Sequence, residues 1–341
     1  MTTKIPPELV EDQVFGNRNV LINGGMQVSQ RGTQTGMGAA SAYTAVDRMN
    51  MAFSQTSGRV TSEQSTDTPD GFANSLKLSC TTADTSLASA EYVIVRQKVE
   101  GLNLQRFAKG TSSAKEFTVS FYVKGNASAT YTCELYDADN TRQICKQFSV
   151  TTSWNRIEIT FPADTTGAFG NDSGASLFVM IWLTAGSSFQ GTAANTNWQS
   201  VTDNTKRANG NSNFLSSTSN TFFITGFQLE TGDTATPFEH RSFGEELTLC
   251  HRYYEYFFYG ATAVNIGNHA YGNWNIIAPK RAQPTMSLSG NMTYYASNGT
   301  SGTGGTAQTT SATNGGCVVR TYLFNTTLVY FEGFMIADAE L

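Results

Sequence analysis

The sequence predicts an all-β protein: an N-terminal jelly-roll β-sandwich, a short connector helix and a smaller C-terminal β-domain. Three observations predict it. Short segments alternate apolar and polar residues and are separated by turn residues, which is the period-2 pattern of half-buried strands. Charged residues make up 14% of the chain, well below the usual quarter of a globular protein. Aromatics reach 12%, and Tyr, Phe and Thr favour pleated surfaces. At 341 residues the chain is long enough for about two cores.

Residues 1–18, with Pro6, Pro7 and the apolar Leu9, Val10, Val14 and Phe15, read as an extended arm too short to fold alone. The jelly roll is expected over 19–241. "NVLINGGMQVSQRG" opens it with a short strand, Val20–Asn23, ended by Gly24-Gly25. "YTAVDRMNMAFS" reads as a half-buried strand through Val46, Met49, Met51 and Phe53. "SLKLSC", "AEYVIVRQKV" and "KEFTVSFYVKG" continue the series, and "DADNT" between two alternating runs marks a hairpin. "RIEITFP", "SLFVMIWLT" and an alternating run through Phe223, Thr225, Phe227 and Leu229 follow. That makes roughly eight to ten strands before residue 230, the spacing of a sandwich and not of a βαβ fold.

Gly232 and Pro237 mark the domain exit. Ser242 with Glu245 three residues on fits a capping box, and Leu247, Cys250 or His251, Tyr254 and Phe258 recur at helical spacing. A connector helix is therefore expected over 242–258. A C-terminal β-domain is expected over 259–341, interrupted by a low-complexity loop from Ser297 to Gly316.

The net charge of −5 comes with no basic block, so no nucleic-acid partner is expected. "LFVMIWL" is the longest apolar run at seven residues, far short of the ~20 of a membrane helix; no membrane insertion is expected. The N-terminus has no apolar signal region. Five cysteines form no CxxC. Cys133 and Cys145 flank the hairpin and could face each other, but buried thiols are the expectation, with folding in a reducing cytosol.

No GxSxG, HExxH or phosphate-binding loop occurs, and no His–Cys cluster suggests a metal or cofactor; none is expected. Asp47 or Glu230 could serve a calcium ion, but an Asp47–Arg48 pair satisfies the first without one. Two carboxylates would suffice for glycoside hydrolysis; with 27 acids in the chain that pattern has no specificity.

"NVLINGGMQVSQRGT", "YTAVDRM", "FTVSFYVKG", "SWNRIEITF" and "TFFITGFQLETGDTATPFEHRSFGEELTLCHRYYEYF" together resemble tailed-bacteriophage tail-fibre proteins with a carbohydrate-binding-module-like jelly roll. The match runs over about residues 19–257, and the segment from "CHRYYEYF" to "PKRAQPTM" resembles the start of that group's variable tail. Met49 stands where the usual motif carries Trp, and only 1–18 precede the jelly roll, where long fibres carry a large anchor.

The resemblance implies a non-enzymatic virion protein, assembled in the host cytoplasm, that binds host surface polysaccharide during adsorption as a homotrimer. Its N-terminal arm, through Pro6, Pro7, Leu9, Val10 and Phe15, is expected to dock on other tail or neck proteins. A structural head, collar or tail decoration protein and a polysaccharide depolymerase are the rival readings. For a glycan site, the polar stretch 186–220 offers Trp198 as a stacking ring, with Asn195, Asn197, Gln199, Asp203, Lys206 and Arg207 as donors and acceptors. The bland alternative folds Trp198 back over the sandwich edge. Trp154 and Trp182 are expected in the core.

Overall fold

Alternation sets the strands, and tertiary pairing decides which face each one buries. The computed structural model describes residues 17–341 apart from 192–195, 202–206, 263, 266–268, 276–277, 297–300, 304–306, 314–315 and 323–327. The chain divides into two compact units, Met1–Ser242 and Phe243–Leu341.

The first unit runs through β1 (Gln34–Met37), β2 (Ala42–Tyr43), β3 (Asn50–Ser54), β4 (Arg59–Ser65), β5 (Ser75–Thr82), β6 (Tyr92–Glu100) and β7 (Phe117–Gly125). It continues with β8 (Ala129–Asp137), β9 (Arg142–Val150), β10 (Asn155–Phe161), β11 (Ala175–Ala185), β12 (Gln199–Ser200) and β13 (Thr221–Thr231). Two sheets result, in the orders β1-β4-β5-β13-β7-β10 and β12-β9-β8-β11-β6-β3-β2. The chain passes repeatedly between the sheets, for example from β7 to β8 and back from β9 to β10, while β2–β3, β4–β5 and β8–β9 pair as neighbours within one sheet. This is the expected jelly-roll sandwich.

Leu76, Leu78, Val119, Phe121, Val123, Phe222 and Ile224 from one sheet meet Val93, Val95, Cys133, Leu135, Val179 and Ile181 from the other, all at most 1% exposed. Each such side chain contributes about 1.5–3 kcal/mol by leaving water. The expected hairpin joins β8 to β9 with Asp137 opposite Arg142, and Asp137 Oδ1 accepts the Asn140 amide at 3.1 Å. Glu134, not Cys133, lies opposite Cys145, so the two buried thiols point to opposite faces and no disulfide forms.

Four local expectations change. Val20–Asn23 is not a strand: side chains take up its backbone groups, with the Gln97 amide accepting from Ile22 N–H at 2.7 Å and donating to its carbonyl at 2.9 Å. The strand expected from Val46 begins at Asn50, because Met49 N–H turns back onto the Val46 carbonyl and Arg48 is left-handed at φ 70°. Along β13 the inward phase switches: Phe222 and Ile224 face the core before Gly226, Phe227 and Leu229 after it. Pairing with β7 skips between Thr225 and Gln228, a bulge. Gly226 is required there, with φ +63° and Phe72 and Tyr122 within 2.9 Å of where a Cβ would sit. Phe223 is thereby on the outer face with Trp154, whose indole donates to Asp67 at 3.1 Å; Trp154 is not in the core.

In the second unit, α1 (Phe243–His251) carries Glu245 and Glu246 in its first turn, where the helix dipole favours acids. It ends at His251, well before the expected 258. Residues from Tyr254 instead form β14 (Tyr254–Thr262), because their alternating Tyr and Phe pair more profitably as a strand. The unit continues with β15 (Val264–Asn265), β16 (His269–Asn275), β17 (Thr285–Ala296), β18 (Ser301–Thr303), β19 (Ala307–Thr313), β20 (Gly316–Tyr322) and β21 (Leu328–Asp338). Two four-stranded sheets form, β14-β21-β17-β18 and β15-β16-β20-β19. Parts of the expected low-complexity loop are therefore strands: β18 pairs with β17, and Thr-rich β19 pairs with β20.

Candidate functional site

Of the expected glycan-site residues, Asn195 and Asp203 (and Lys206 beside them) lie outside the described residues, as do Pro6, Pro7, Leu9, Val10 and Phe15 of the arm. Asn197 is exposed, and Gln199 opens β12 opposite Gln143. Trp198 is half-buried and packs on the main core. Its indole N–H donates to the Pro162 carbonyl at 2.7 Å, and its ring tilts against Phe117 at 5.5 Å. Of the two readings open for this residue, the geometry is the edge-covering one.

Beneath that indole sits a buried ion network. The fully buried Lys109 ammonium lies 2.6 Å from Asp137 and 3.1 Å from Asp164, and donates to the carbonyls of Thr166 and Gly167 at 2.8 and 2.7 Å. Arg142 meets Asp164 through two bonds of 2.8 and 3.0 Å and reaches the Trp198 carbonyl at 3.3 Å. Burial pushes the Asp164 carboxyl up, but Arg142 and Lys109 together hold it below its ordinary value. Asp47 pairs with Arg31 at 3.4 Å, while Arg48 donates to the Lys98 carbonyl at 2.9 Å. Glu230 accepts from Gln228 and Thr236. Among the described residues no group of three His, Cys, Asp or Glu side chains could hold a metal ion.

Arg207 does reach a ring system. It forks onto the fully buried Glu134, with Nε and Nη2 at 3.0 and 2.7 Å from Oε1, and Trp182 Nε1 donates to the other oxygen at 2.5 Å. The guanidinium lies over Trp182 at 5.2 Å and Tyr136 at 5.4 Å. These residues stand on the outward face of the seven-stranded sheet, where Trp182, Met180, Ile94, Ala52, Phe189 and Ala208 form a second apolar cluster. Trp182 is thus buried as expected, but outside the inter-sheet core. "SLFVMIWL" is apolar on both faces because both faces are covered.

Along the same face the cluster opens. Tyr136 and Phe178, cross-strand partners on β8 and β11, are half-buried with rings 5.6 Å apart. Arg96 and Lys98 lie 5.3 and 5.6 Å from the Phe178 ring. The result is a strip of aromatic surface edged by three cations, counting Arg207. Aromatic faces present apolar area to sugar rings, and guanidinium and ammonium groups donate to hydroxyls and anions. Tyr136, Phe178, Arg96 and Lys98 were not among the expected residues. The available signal was the outward phase of "ELYD", "FVMIW" and "IVRQK", once the inward phase is assigned.

A separate concavity of about 350 Å³ lies where β7 hands over to β8. Its walls include Asn126, Ser128, Tyr131, Ser212, Asn213 and Asn220. Asn126 accepts from Thr221 N–H at 2.8 Å, and Asn213 bonds Leu215 N–H at 2.9 Å and the Asp84 carbonyl at 2.9 Å. These bonds tie the residue 212–221 wall to the sandwich.

Asp84 and Glu91, both buried, are the one acid pair in this unit with opposed shifts among the described residues. Burial pushes Asp84 up, but hydrogen bonds from Ser57 and Glu91 bring it down to about 2. Burial and then the bond to Asp84 push Glu91 up. The two carboxyls therefore shift in opposite directions, and Asp84 fastens the 84–91 segment by accepting from Thr56 and Ser57.

No protein-family model matches the sequence, and no curated protein is significantly similar to it. Among solved structures, the chain is similar to a protein described under "CBM4 structure and function", at 12% identity and TM-score 0.33, over 61% of this chain and 97% of the other. It is similar to the CBM22-1 xylan-binding domain of Paenibacillus barcinonensis Xyn10C, at 12% identity and TM-score 0.30, over 64% and 96%. It is also similar to the enzymatically active domain of tailspike protein 4 of bacteriophage CBA120, at 10% identity and TM-score 0.29, over 63% of this chain and 21% of that one.

Proposed function

We infer that the protein is a non-enzymatic fibre or appendage of a phage particle that binds host cell-surface glycans during adsorption. The observation that carries this reading is the strip on the seven-stranded sheet, where Tyr136 and Phe178 present ring surface beside Arg96, Lys98 and Arg207. Stacking supplies affinity, about 0.5–1.5 kcal/mol per ring beyond area burial, and the cations favour glycans that carry carboxylate or phosphate. The ordered tail-fibre motifs of the sequence support the virion setting, with the arm of residues 1–18 as the docking segment.

A homotrimer fits the second unit. Phe258 and Phe334 are 56% and 43% exposed, with their rings 5.4 Å apart on one sheet face. Closed symmetry covers such a patch and multiplies weak sugar contacts through avidity.

The test is binding of the purified protein to host polysaccharide, compared with Phe178→Ala and Tyr136→Ala. Each variant is expected to weaken binding about threefold to tenfold while sedimenting at the same multiple of the chain mass as the parent. Binding equal to the parent in both would remove the strip. No binding by any form would favour the structural decoration reading, and release of reducing sugar would establish a depolymerase.

A further inference from the structure

The concavity between β7 and β8 holds an observation that the strip does not explain. Tyr131 is 5% exposed, its ring fixed edge-on against Phe222 at 5.7 Å and tilted on Phe148 at 6.4 Å. Its hydroxyl has no hydrogen-bond partner among the described residues. The oxygen is not among the buried side-chain atoms left without a partner, so it keeps a contact with solvent, and a ligand that displaced that water would have to hydrogen-bond the hydroxyl in its place. The open side available to Tyr131 is the concavity that it helps to line.

The rest of the wall has a consistent chemistry. Asn126, Asn213, Asn220, Ser128, Ser212 and Ser216 bring amides and hydroxyls, and no Asp, Glu, Lys, Arg or His is among the lining residues. Such a wall offers donors and acceptors in similar number and compensates no charge. An anionic ligand would lose water there without gaining a cation, and the net charge of −5 repels it further. A polyhydroxylated neutral ligand fits, since each hydroxyl can both donate and accept. At about 350 Å³ the space falls within the roughly 300–1,000 Å³ of small-ligand sites.

We propose that this cleft is a second binding site, specific for a neutral saccharide unit, in which the hydroxyl of Tyr131 is a recognition group held by its buried ring and the amide and hydroxyl wall completes the contact. It is separate from the aromatic strip: Tyr131 and Tyr136 share β8, but Tyr131 packs in the inter-sheet core and Tyr136 against the outward cluster, and the strip's cations select a different class of glycan.

Ligand-observed NMR with methyl glycosides of glucose, galactose, mannose, N-acetylglucosamine and rhamnose, set against glucuronic acid and N-acetylneuraminic acid, tests it on the full chain. At least one neutral glycoside should bind. Tyr131→Phe keeps the ring packing and removes only the hydroxyl, so its affinity should fall about threefold to tenfold with an unchanged melting temperature. Ser128→Trp places an indole on the exposed rim and should abolish the signal. Phe178→Ala on the strip should leave it intact.

The proposal is overturned if no neutral glycoside binds, or if Tyr131→Phe and Ser128→Trp bind like the parent. It is equally overturned if an acidic sugar loses its signal in Ser128→Trp. Loss of binding in Phe178→Ala with both cleft variants unaffected would retain the strip and remove the cleft.

Discussion

Replacing Lys109 by Met should destabilise the sandwich more than any surface change of equal size. The ammonium is fully buried and is shared by Asp137 at 2.6 Å and Asp164 at 3.1 Å. Two backbone carbonyls, of Thr166 and Gly167, complete its shell. Methionine fills similar volume, so cavity formation contributes little and the electrostatic loss dominates. Asp164 keeps Arg142, whereas Asp137 is left with the neutral Asn140 amides. Removing one partner of a buried ion pair costs about 3–5 kcal/mol. For a unit of this size that lowers the melting temperature by roughly 6–20 °C. Differential scanning calorimetry and urea unfolding at pH 7 read the loss. Adding Asp137→Asn to Lys109→Met neutralises the orphaned carboxylate and should recover part of it. A melting temperature within 2 °C (about 1 kcal/mol or less) of the parent would refute the reasoning, because the carboxylates would then have to be solvated without the lysine.

Trp198→Ala should lower stability by about 2–3 kcal/mol, since the indole covers Phe117 and its N–H is bonded to Pro162. Unchanged melting with weakened adsorption would instead return Trp198 to the glycan site. Glu91→Gln should stabilise the protein at neutral pH. Glu91 titrates above its ordinary value, so its contribution is complete below the unfolded value near 4.5 and is lost as pH rises through the folded one; glutamine keeps the neutral form at every pH. Asp84, held at about 2, contributes above its unfolded value near 3.8 and loses that contribution as pH falls toward 2. Melting curves from pH 3 to 8 should therefore show the loss on the alkaline side in the parent and not in the variant, and a variant no more stable than the parent at pH 7 would contradict the upward shift of Glu91.

Period-2 patterning, sparse charge and punctuating turn residues were enough to determine an all-β chain, its hairpin at Asp137–Arg142 and a break after Gly232 and Pro237. These are local properties: a strand's alternation and a turn's residue preferences can be read without neighbours. Alternation does not carry across a bulge, so the change of phase at Gly226 was invisible until β13 was paired with β7. Nor does it say where a helix yields to a strand, which at Tyr254 was decided by pairing with β21.

The recognition surfaces are further from the sequence still. The strip joins Arg96, Tyr136, Phe178 and Arg207, and the cleft joins residues near 126, 131, 150 and 213. Trp198 looked like a platform because its sequence neighbours are polar, yet its spatial neighbours are Phe117, Pro162 and Lys109. Composition names the residues able to stack or bond. Only the packing of two sheets decides which of them keep a face toward water, because burial is a property of long-range contacts and not of the segment that supplies the side chain.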